Sequence, residues 1–396
     1  MSDKKYYSIV TKKFNLKTSH EEWLIESQNI YNEVLYFYYC LFLDHPEIHG
    51  ASGQNTLRLM EQMTIVGRDK KPVSDPLPWK GIPLYFRRAA INAAIAAAKS
   101  FLARDIQEEP TSTFSSGVTL YKGMYRELTS QSVQIKVYDG EEWRWICCRL
   151  YGNILPDNVL CMSPRLVFRE KRIELHVPVK YPVQDGRTLK ERVQSDLKIC
   201  TVQFTGGNAI AVCCILDTYA NVEKVLFIPG GREYRHRCRM IWKKIEASRK
   251  ARGNVKEDHA DWKYRQKWKH INEDLAHQVS SRIVEFCREN KGKIILLPKY
   301  SRDYSHIIMG AVESGSPIRV SYQIRRQLWY KAWKDGILVV ETEVYGIGSK
   351  CAVCGEDIRK HGELYKCVQG HQGNRWVNSS KNLGKNFLYK IGKQMR

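Results

Sequence analysis

The hydrophobic pattern of the first part of the chain begins with a strand and continues with long helices. Residues Tyr6–Leu16 alternate between apolar and polar side chains, which predicts a strand. Glu21–Leu43 carries an apolar stripe at helical spacing, and this helix should end at Asp44-His45-Pro46, because a residue before proline disfavours helical dihedrals. Pro83–Arg104 is rich in Ala and has Pro near its first turn, which predicts a second long helix. The polar residues 50–80 between them predict a loop with short helices.

Short strands dominate the next segment. From Pro110 to about Val183, alternating runs are separated by turn residues such as Asp139-Gly140, which is typical of a small β-barrel or sandwich. The charged residues Gln184–Lys198 follow and predict a domain boundary.

The second half of the chain alternates short apolar strands with helices, and this alternation predicts an α/β layer. A Cys-rich knuckle at Ser349–Gly373 precedes a last helix that should begin at Asn378. The other predicted elements are strands at Ile199–Gln203, Ile210–Leu216, Val225–Phe227, Lys293–Leu297 and Ile337–Val344, and helices within Arg232–Asn290 and Val320–Asp335.

Positive charge distinguishes this chain from an ordinary soluble protein. Its 396 residues contain 64 Lys and Arg against 42 Asp and Glu, a net charge of +22. Such an excess favours a polyanionic partner, most often nucleic acid, over a generally basic protein or a membrane-surface binder. The start MSDKKYYSIV lacks an apolar signal segment, and the longest apolar run, Leu35–Leu43, is too short to span a bilayer. We therefore expect a cytoplasmic protein, no membrane partner and mostly reduced cysteines, with Cys147-Cys148 and Cys213-Cys214 in the core.

The positive charge clusters with aromatic residues in Arg232–Lys269, a segment that contains 14 Lys and Arg but only five Asp and Glu. Cations neutralise phosphates and aromatic faces stack on bases, so the segment predicts nucleic-acid contacts. The alternative is a pair of solvated helices whose tryptophans face the core. The candidate contacts are Arg235, Arg239, Lys243, Arg249, Arg252, Lys263 and Lys267, with Arg375 in the acid-free C-terminal segment and Arg87 and Arg88 early in the Ala-rich helix. A solvated helix face is the alternative for Arg87 and Arg88.

Three cysteines and a histidine near the C-terminus have the spacing of a zinc site. Cys351-Ala-Val-Cys354-Gly is a C-x2-C-G turn, which directs two thiolates to one metal ion while the glycine permits a tight backbone. Cys367 offers a third thiolate and His371 a fourth ligand, with His361 as the alternative. A Cys3His set leaves no open coordination position, so we expect a structural Zn²⁺; a metal-free knuckle held by packing is the alternative.

The order of motifs in residues 321–386 resembles the C-terminal block of the TnpB proteins. The segment QIRRQLWYKAWKDGILVVETEV is followed by CAVCG, then by C-x2-G-H, then by N-x3-N-S-S-x-N. TnpB proteins are transposon-encoded RNA-guided nucleases related to the miniature type V CRISPR effectors. Their closing motif has a fourth cysteine, which is missing here and which His371 can replace.

The resemblance implies an α+β multidomain protein. A wedge-type β domain would comprise residues 1–18 and 108–190, and a helical recognition domain residues 19–107. An RNase H-like (RuvC-like) α/β domain would comprise residues 191–348 and 374–396, with the zinc knuckle inserted at 349–373.

The resemblance also implies three acidic positions for two-metal phosphodiester hydrolysis. They fall on Gln203, Pro298 and Trp376, and none of these residues is acidic. Because Mg²⁺ prefers charged oxygen ligands, we expect no catalytic Mg²⁺ and no nuclease activity, with a buried Trp376 filling the space of a metal ion. We expect no rescue by the other carboxylates considered, Asp217, Asp303 and Glu341.

The implied function is RNA-guided DNA binding without cleavage. The protein would hold a guide RNA, open target double-stranded DNA into an R-loop, and block transcription or recruit transcription machinery, as the TnpB-derived repressors do. Three alternatives stay open: a naturally inactive miniature type V effector that uses CRISPR RNA, an RNA-guided nuclease with relocated carboxylates, and a transposase accessory factor that binds without RNA.

Overall fold

The computed structural model describes residues 6–67, 72–104, 110–157, 159–194, 197–253, 261–300, 312–313, 315–344 and 346–394. Two compact units divide these residues, one formed by Ile9–Tyr181 and the other by the remainder. The second unit takes up the chain again at Pro182, so residues 182–190 lie in it rather than in the first unit. No helix within the described ranges is long and apolar enough to cross a membrane.

The first unit is built on one seven-stranded sheet with the strand order β2-β3-β4-β1-β7-β5, in which β6 also pairs with β7. The N-terminal strand lies between β4 and β7, so it completes the middle of the sheet. The strands are β1 (Tyr7–Lys17), β2 (Tyr125–Arg126), β3 (Ser132–Tyr138), β4 (Trp143–Tyr151), β5 (Leu160–Cys161), β6 (Arg165–Arg169) and β7 (Arg172–Pro182). The helices are α1 (Glu21–Asp44), α2 (Gly53–Thr64) and α3 (Leu84–Leu102), which confirms the predicted strand and both long helices.

One hydrophobic core joins this sheet to its helices. Alternate residues of β3 and β4 are buried, and they share a single cluster with the apolar stripes of α1 and α3. The segments predicted as separate wedge and recognition domains therefore pack as one unit. The same alternation corrects one prediction, because Cys148 is buried whereas Cys147 faces outward.

The second unit contains a five-stranded sheet with the order β10-β9-β8-β11-β12. Strand β11 runs parallel to both β8 and β12, whereas β9 is antiparallel to β8 and β10. This mixed sheet with its helices is the RNase H-like α/β layer that the resemblance implied. Its strands are β8 (Ile199–Phe204), β9 (Ala211–Leu216), β10 (Val222–Ile228), β11 (Ile294–Lys299) and β12 (Leu338–Glu343). The helices are α4 (Leu189–Val193), α5 (Gly231–Ala251), α6 (Trp262–Glu289), α7 (Ser321–Lys334) and α8 (Arg375–Gln394).

Helices cover both faces of this sheet. Alternate residues of β8 and β11 pack against α8 in a cluster with Leu383 and Phe387, and the intervening residues join the core of α5, α6 and α7. Every residue of β8 and β9 is therefore buried, which confirms that Cys213 and Cys214 are both core residues.

The last helix begins at Arg375, three residues before the expected start at Asn378. Asn374 Oδ1 accepts hydrogen bonds from the backbone N–H groups of Trp376 (2.9 Å) and Val377 (3.3 Å), so Asn374 caps the helix. Trp376 consequently lies in the first turn of α8.

A small three-stranded sheet inserts between β12 and α8. Its strands β13 (Ile358–His361), β14 (Leu364–Cys367) and β15 (Gln372–Asn374) are antiparallel. This sheet and the preceding C-x2-C turn make up the knuckle.

Arg192 of α4 fastens the segment after β7 to the sheet of the second unit. Its side chain is 0% exposed, and its guanidinium donates to the backbone carbonyls of Asp185, Arg187, Lys293 and Gly336. The carboxylate of Asp185 lies 3.5 Å from the same guanidinium. A buried cation is thus satisfied mainly by backbone oxygens from three separate segments.

Candidate functional site

The first two positions assigned to catalytic carboxylates lie side by side on β8 and β11. The two strands are parallel with Leu296 opposite Thr201, so two residues further along Pro298 is level with Gln203. Alternation places both side chains on the α8 face of the sheet, since Val202 and Leu297 belong to the core on the other face. Both residues are buried.

The third position, Trp376, approaches the same face from α8. Gln203 pairs with Val212 of β9, and the indole of Trp376 packs against the cluster that contains Val212. The sequence predicted a buried indole, but the structure leaves it half-buried. The guanidinium of Arg375 lies 4.3 Å from its ring centroid. The fold therefore brings the three predicted positions to one face of the sheet.

The donor atoms at these positions do not form a site for a hard cation. Gln203 offers one amide oxygen, and its buried Nε2 has no hydrogen-bond partner among the described residues. The carbonyl oxygen of Pro298 already accepts a hydrogen bond of 2.8 Å from Arg325 Nη2. Neither residue nor the indole supplies the charged oxygen that Mg²⁺ prefers.

The carboxylates considered as replacements are placed elsewhere or are engaged. Asp217 follows the far end of β9, where Leu216 pairs with Ile199, and it accepts hydrogen bonds from Tyr219 and Asn221. Glu341 of β12 is bound to Arg325 at 3.1 Å. Asp303 lies outside the described residues.

A further carboxylate, which the sequence did not indicate, lies near the turn that follows β8. The Oε1 atom of Glu363, in the β13–β14 turn, lies 2.9 Å from the position that a Cβ on Gly207 would occupy. Gly207 belongs to the turn that follows β8, so the knuckle brings an acidic side chain to this turn. No spacing rule within one motif could have found this contact, because it joins residues more than a hundred positions apart.

The four predicted zinc ligands meet in one group. One ligand atom from each of Cys351, Cys354, Cys367 and His371 lies within 4.8 Å of all the others. The Sγ atoms of Cys354 and Cys367 are 3.8 Å apart, and Cys367 Sγ lies 3.4 Å from His371 Nδ1. Zn–S bonds of about 2.3 Å in a tetrahedron place two sulfurs about 3.8 Å apart, so the set fits a tetrahedral metal ion. His361, the alternative ligand, lies on β13 outside this group.

Helix α8 holds the C-x2-C turn in place. Asn378 Oδ1 accepts from the backbone N–H of Ala352 and its Nδ2 donates to the carbonyl of Lys350, both at 2.8 Å. One helical turn later, Asn382 Nδ2 donates to the same Lys350 carbonyl. The glycine after the turn, Gly355, has φ +80°, the left-handed conformation for which a glycine was expected. The polar residues of the N-x3-N-S-S-x-N motif therefore position the knuckle.

The basic helices α5 and α6 present some of the predicted cations to solvent. Arg239 and Lys243 lie four residues apart on α5, and Lys263 and Lys267 lie four apart on α6; all four are exposed. Trp262 is 59% exposed. In contrast, Trp242 and Trp268 pack edge to face at 5.4 Å beside the core, as the alternative interpretation held for tryptophans of this segment.

Several other predicted contacts are engaged within the protein. Arg235 donates to the carbonyls of Gly206 and Gly207 and so fixes the turn after β8. Arg249 and Arg252 both pair with Asp261, at 3.6 Å and 2.9 Å. Each of these side chains has a structural role that the sequence pattern did not reveal.

Arg87 and Arg88 of α3 share one carboxylate. Arg87 Nη2 lies 3.1 Å from Glu61 of α2, and Arg88 donates to both oxygens of the same group. The side chains of Arg87 and Glu61 are only 12% and 14% exposed. This pair ties α2 to α3, which is a third interpretation beside phosphate binding and a solvated face.

Two family models match separate parts of this chain. Residues 8–139 match the Aq_aa04 family, and residues 322–383 match the TNB domain of Cas12f1-like proteins. The second match covers the helix, strand and knuckle that carry the motif resemblance. No curated protein is significantly similar to this chain in sequence.

Solved structures share the fold over most of the chain. A Cas12f1–sgRNA–target DNA complex aligns with a TM-score of 0.57 and 12% identity, covering 92% of this chain and 81% of that chain. The mini-RNA-guided endonuclease Cas_phi3 aligns with a TM-score of 0.54 and 8% identity, covering 96% and 92%. At such identities the likeness concerns the fold. Together with the TNB match, it confirms the resemblance to TnpB-like proteins and miniature type V effectors.

Proposed function

We propose that this chain is an RNA-guided DNA-binding protein without nuclease activity. One observation carries the proposal: Gln203, Pro298 and Trp376 meet on one face of the RNase H-like sheet, and none of them is a carboxylate. Two-metal hydrolysis needs carboxylates that hold both ions, so the residues at these three positions support a protein that binds DNA without cutting it. The proteins of similar fold act with RNA guides, and one of them was solved with guide RNA and target DNA.

The exposed cations of α5 and α6 are the proposed guide RNA and DNA contacts. Each phosphate that a cation neutralises releases counterions, which makes the slope of log K against log salt more negative by about 0.7 for a single strand. Replacing Arg239, Lys243, Lys263 and Lys267 by Gln should therefore make the slope for guide RNA less negative by about 3. The single variant Arg249→Gln should leave this slope nearly unchanged, since Arg249 is paired with Asp261.

The Cys3His group is proposed to bind a structural Zn²⁺. When bound, the ion would join the C-x2-C turn to the β14–β15 turn and so hold together a knuckle with a small core of its own. Asn378 and Asn382 would then transmit the position of the knuckle to α8.

Occupancy of a target site is the proposed output. A bound R-loop that is not cut would block transcription or recruit transcription machinery, and the guide would be either a transposon-associated RNA or a CRISPR RNA. Sequencing the RNA that co-purifies with the full chain distinguishes these two sources. A preparation that binds no specific RNA would overturn the proposal.

A cleavage assay tests the loss of nuclease chemistry. The guide-loaded full chain is incubated with target DNA and Mg²⁺, and we expect binding without cleavage. If cleavage occurs, relocated carboxylates are the explanation, and Glu363→Gln is the first variant to measure because Glu363 lies beside the turn after β8. Loss of cleavage in that variant would replace the present proposal by an active nuclease.

A further inference from the structure

A basic cleft lies at the edge of the second unit that is opposite the degenerate positions. It has a volume of about 820 Å³ and is lined by residues that precede β8, β11 and β12, among them Lys198, Lys293 and Ile337. Residues 184–187, which lead into α4, complete the lining. We propose that this cleft binds backbone phosphates of the guide RNA, which rests on the proposed function and adds a contact site to it.

The charges of the lining favour an anion. Five cations line the cleft, against two carboxylates. The carboxylate of Asp185 accepts two hydrogen bonds from Arg187, and Asp335 lies 3.5 Å from Arg288. Lys198 is bound to Glu223 at 2.6 Å. Lys291 and Lys293 remain, and neither has an ion-pair partner within the described part of the chain.

The backbone that carries the two free lysines is constrained. Lys291 has φ +58°, a conformation that residues other than glycine and asparagine seldom adopt. At the next residue, a Cβ on Gly292 would lie 2.4 Å from the Sγ of Cys287, so the turn cannot accept a side chain there. The turn is the C-terminal cap of α6, since the N–H of Lys291 donates to the carbonyl of Arg288 and the N–H of Gly292 donates to the carbonyl of Cys287. The cap therefore fixes the backbone from which the two lysine side chains extend.

A fixed charge lies behind the floor of the cleft. The buried guanidinium of Arg192 donates to the carbonyls of Lys293 and Gly336, and both of these residues line the cleft. Because solvent does not reach this guanidinium, its field is screened less than that of a surface cation. It therefore adds positive potential at the place where an anion would lie.

Among the described residues that line the cleft there is no aromatic side chain, and Ile337 is the only large apolar one. This described lining offers no apolar slot of the kind that a nucleotide site normally provides, and Tyr6, whose ring packs against Gly186, does not line the cleft. Phosphates of an RNA backbone need only cations and hydrogen-bond donors. The cleft thus fits a sequence-independent contact with a strand rather than a site for a free nucleotide.

Lysine footprinting of the full chain tests this site directly. The protein, freed of nucleic acid, is acetylated in the presence of a uridine homopolymer RNA, of inorganic polyphosphate, or of neither, and each lysine is quantified by mass spectrometry. We expect the RNA to protect Lys291 and Lys293 several-fold. Two outcomes would overturn the cleft as an RNA-binding site and leave the proposed function intact. In one, polyphosphate protects the two lysines and the RNA does not; in the other, neither polymer protects them although the RNA is bound. A chain that binds no RNA at all would overturn both.

Substitution gives a second measurement that does not depend on chemical modification. The double variant Lys291→Gln, Lys293→Gln should make the slope of log K against log salt for RNA binding less negative by about 1.4. It should also weaken binding about tenfold at moderate salt. The matched control, Lys171→Gln with Lys224→Gln, removes the same charge from two exposed positions that do not line the cleft. Equal losses in the two double variants would contradict the proposal, because they would show an effect of net charge alone.

Discussion

Replacing Arg192 by Met should destabilise the second unit more than any surface change in the same segment. Methionine is shorter than arginine and has no donor, so it removes the hydrogen bonds and leaves the space of the guanidinium unfilled. The Lys293 carbonyl keeps a donor in this variant, because it also accepts from the N–H of Leu338. The carbonyls of Asp185, Arg187 and Gly336 lose the hydrogen bond that Arg192 donates to them. The Asp185 carboxylate loses its buried neighbour as well.

The size of the loss follows from these contacts. A buried acceptor left without a donor costs about 1 kcal/mol at the lower limit, so three of them cost about 3 kcal/mol. Methionine does recover the desolvation energy of the guanidinium, but removing one member of a buried ion pair usually costs about 3–5 kcal/mol in total. We therefore expect a loss of about 3 kcal/mol in the unfolding free energy of the second unit.

Native-state hydrogen exchange is the suitable assay, because a chain with two units need not unfold in one step. The opening free energy at the amides of β11 and β12 should fall by this amount. The control is Arg187→Met, which removes a 44% exposed arginine bound to the same carboxylate and should cost less than about 1 kcal/mol. Equal losses in the two variants would refute the argument that the carbonyl contacts of Arg192 carry the stabilisation.

Four further outcomes can be measured. Cys367→Ser should abolish stoichiometric zinc and increase exchange in the knuckle, as metal analysis and exchange mass spectrometry would show; retained zinc would exclude the proposed ligand set. Trp376→Asp alone should not produce Mg²⁺-dependent DNA cleavage, and cleavage by this variant would contradict the assignment of three positions. Glu61→Gln should destabilise the first unit by about 2 kcal/mol in denaturant unfolding, since it leaves two arginines without their carboxylate. Arg187 donates to Asp185 and lowers the pKa of that carboxyl to about 2, so stability should be lost as the pH falls from about 4 to about 2; because Arg187 is 44% exposed, its share of this loss should stay below about 1 kcal/mol, and Arg187→Met should remove that share.

The order of strands and helices could be predicted because the chain follows simple periodic patterns. Strand β1 and helices α1 and α3 begin and end within one or two residues of the predicted bounds. The grouping of Cys351, Cys354, Cys367 and His371 was also predictable, since a C-x2-C-G turn limits the geometry to a few arrangements. In both cases the signal lies within one short segment.

Contacts between distant segments could not be predicted. The carboxylate of Glu61 captures Arg87 and Arg88 from 26 and 27 residues away, and no local pattern marks that pairing. The same applies to Arg235, which reads as a free cation on a basic helix but fixes the turn after β8. A basic helix therefore predicts the partner class, while the fold decides which of its cations remain available.

The three positions that the resemblance assigns to carboxylates differ in how readily each would accept an acidic side chain. Gln203 differs from Glu only in its amide group, and its buried Nε2 has no hydrogen-bond partner among the described residues. Pro298 lies beyond Leu296, the last residue of β11 that pairs with β8, so its missing N–H costs no bond to that strand. Trp376 departs furthest, because its indole packs on the Val212 cluster and stacks with Arg375, and an acid there would lose both contacts. An acidic substitution would thus disturb the fewest contacts at Gln203 and the most at Trp376, and no single substitution supplies the carboxylates that two metal ions require.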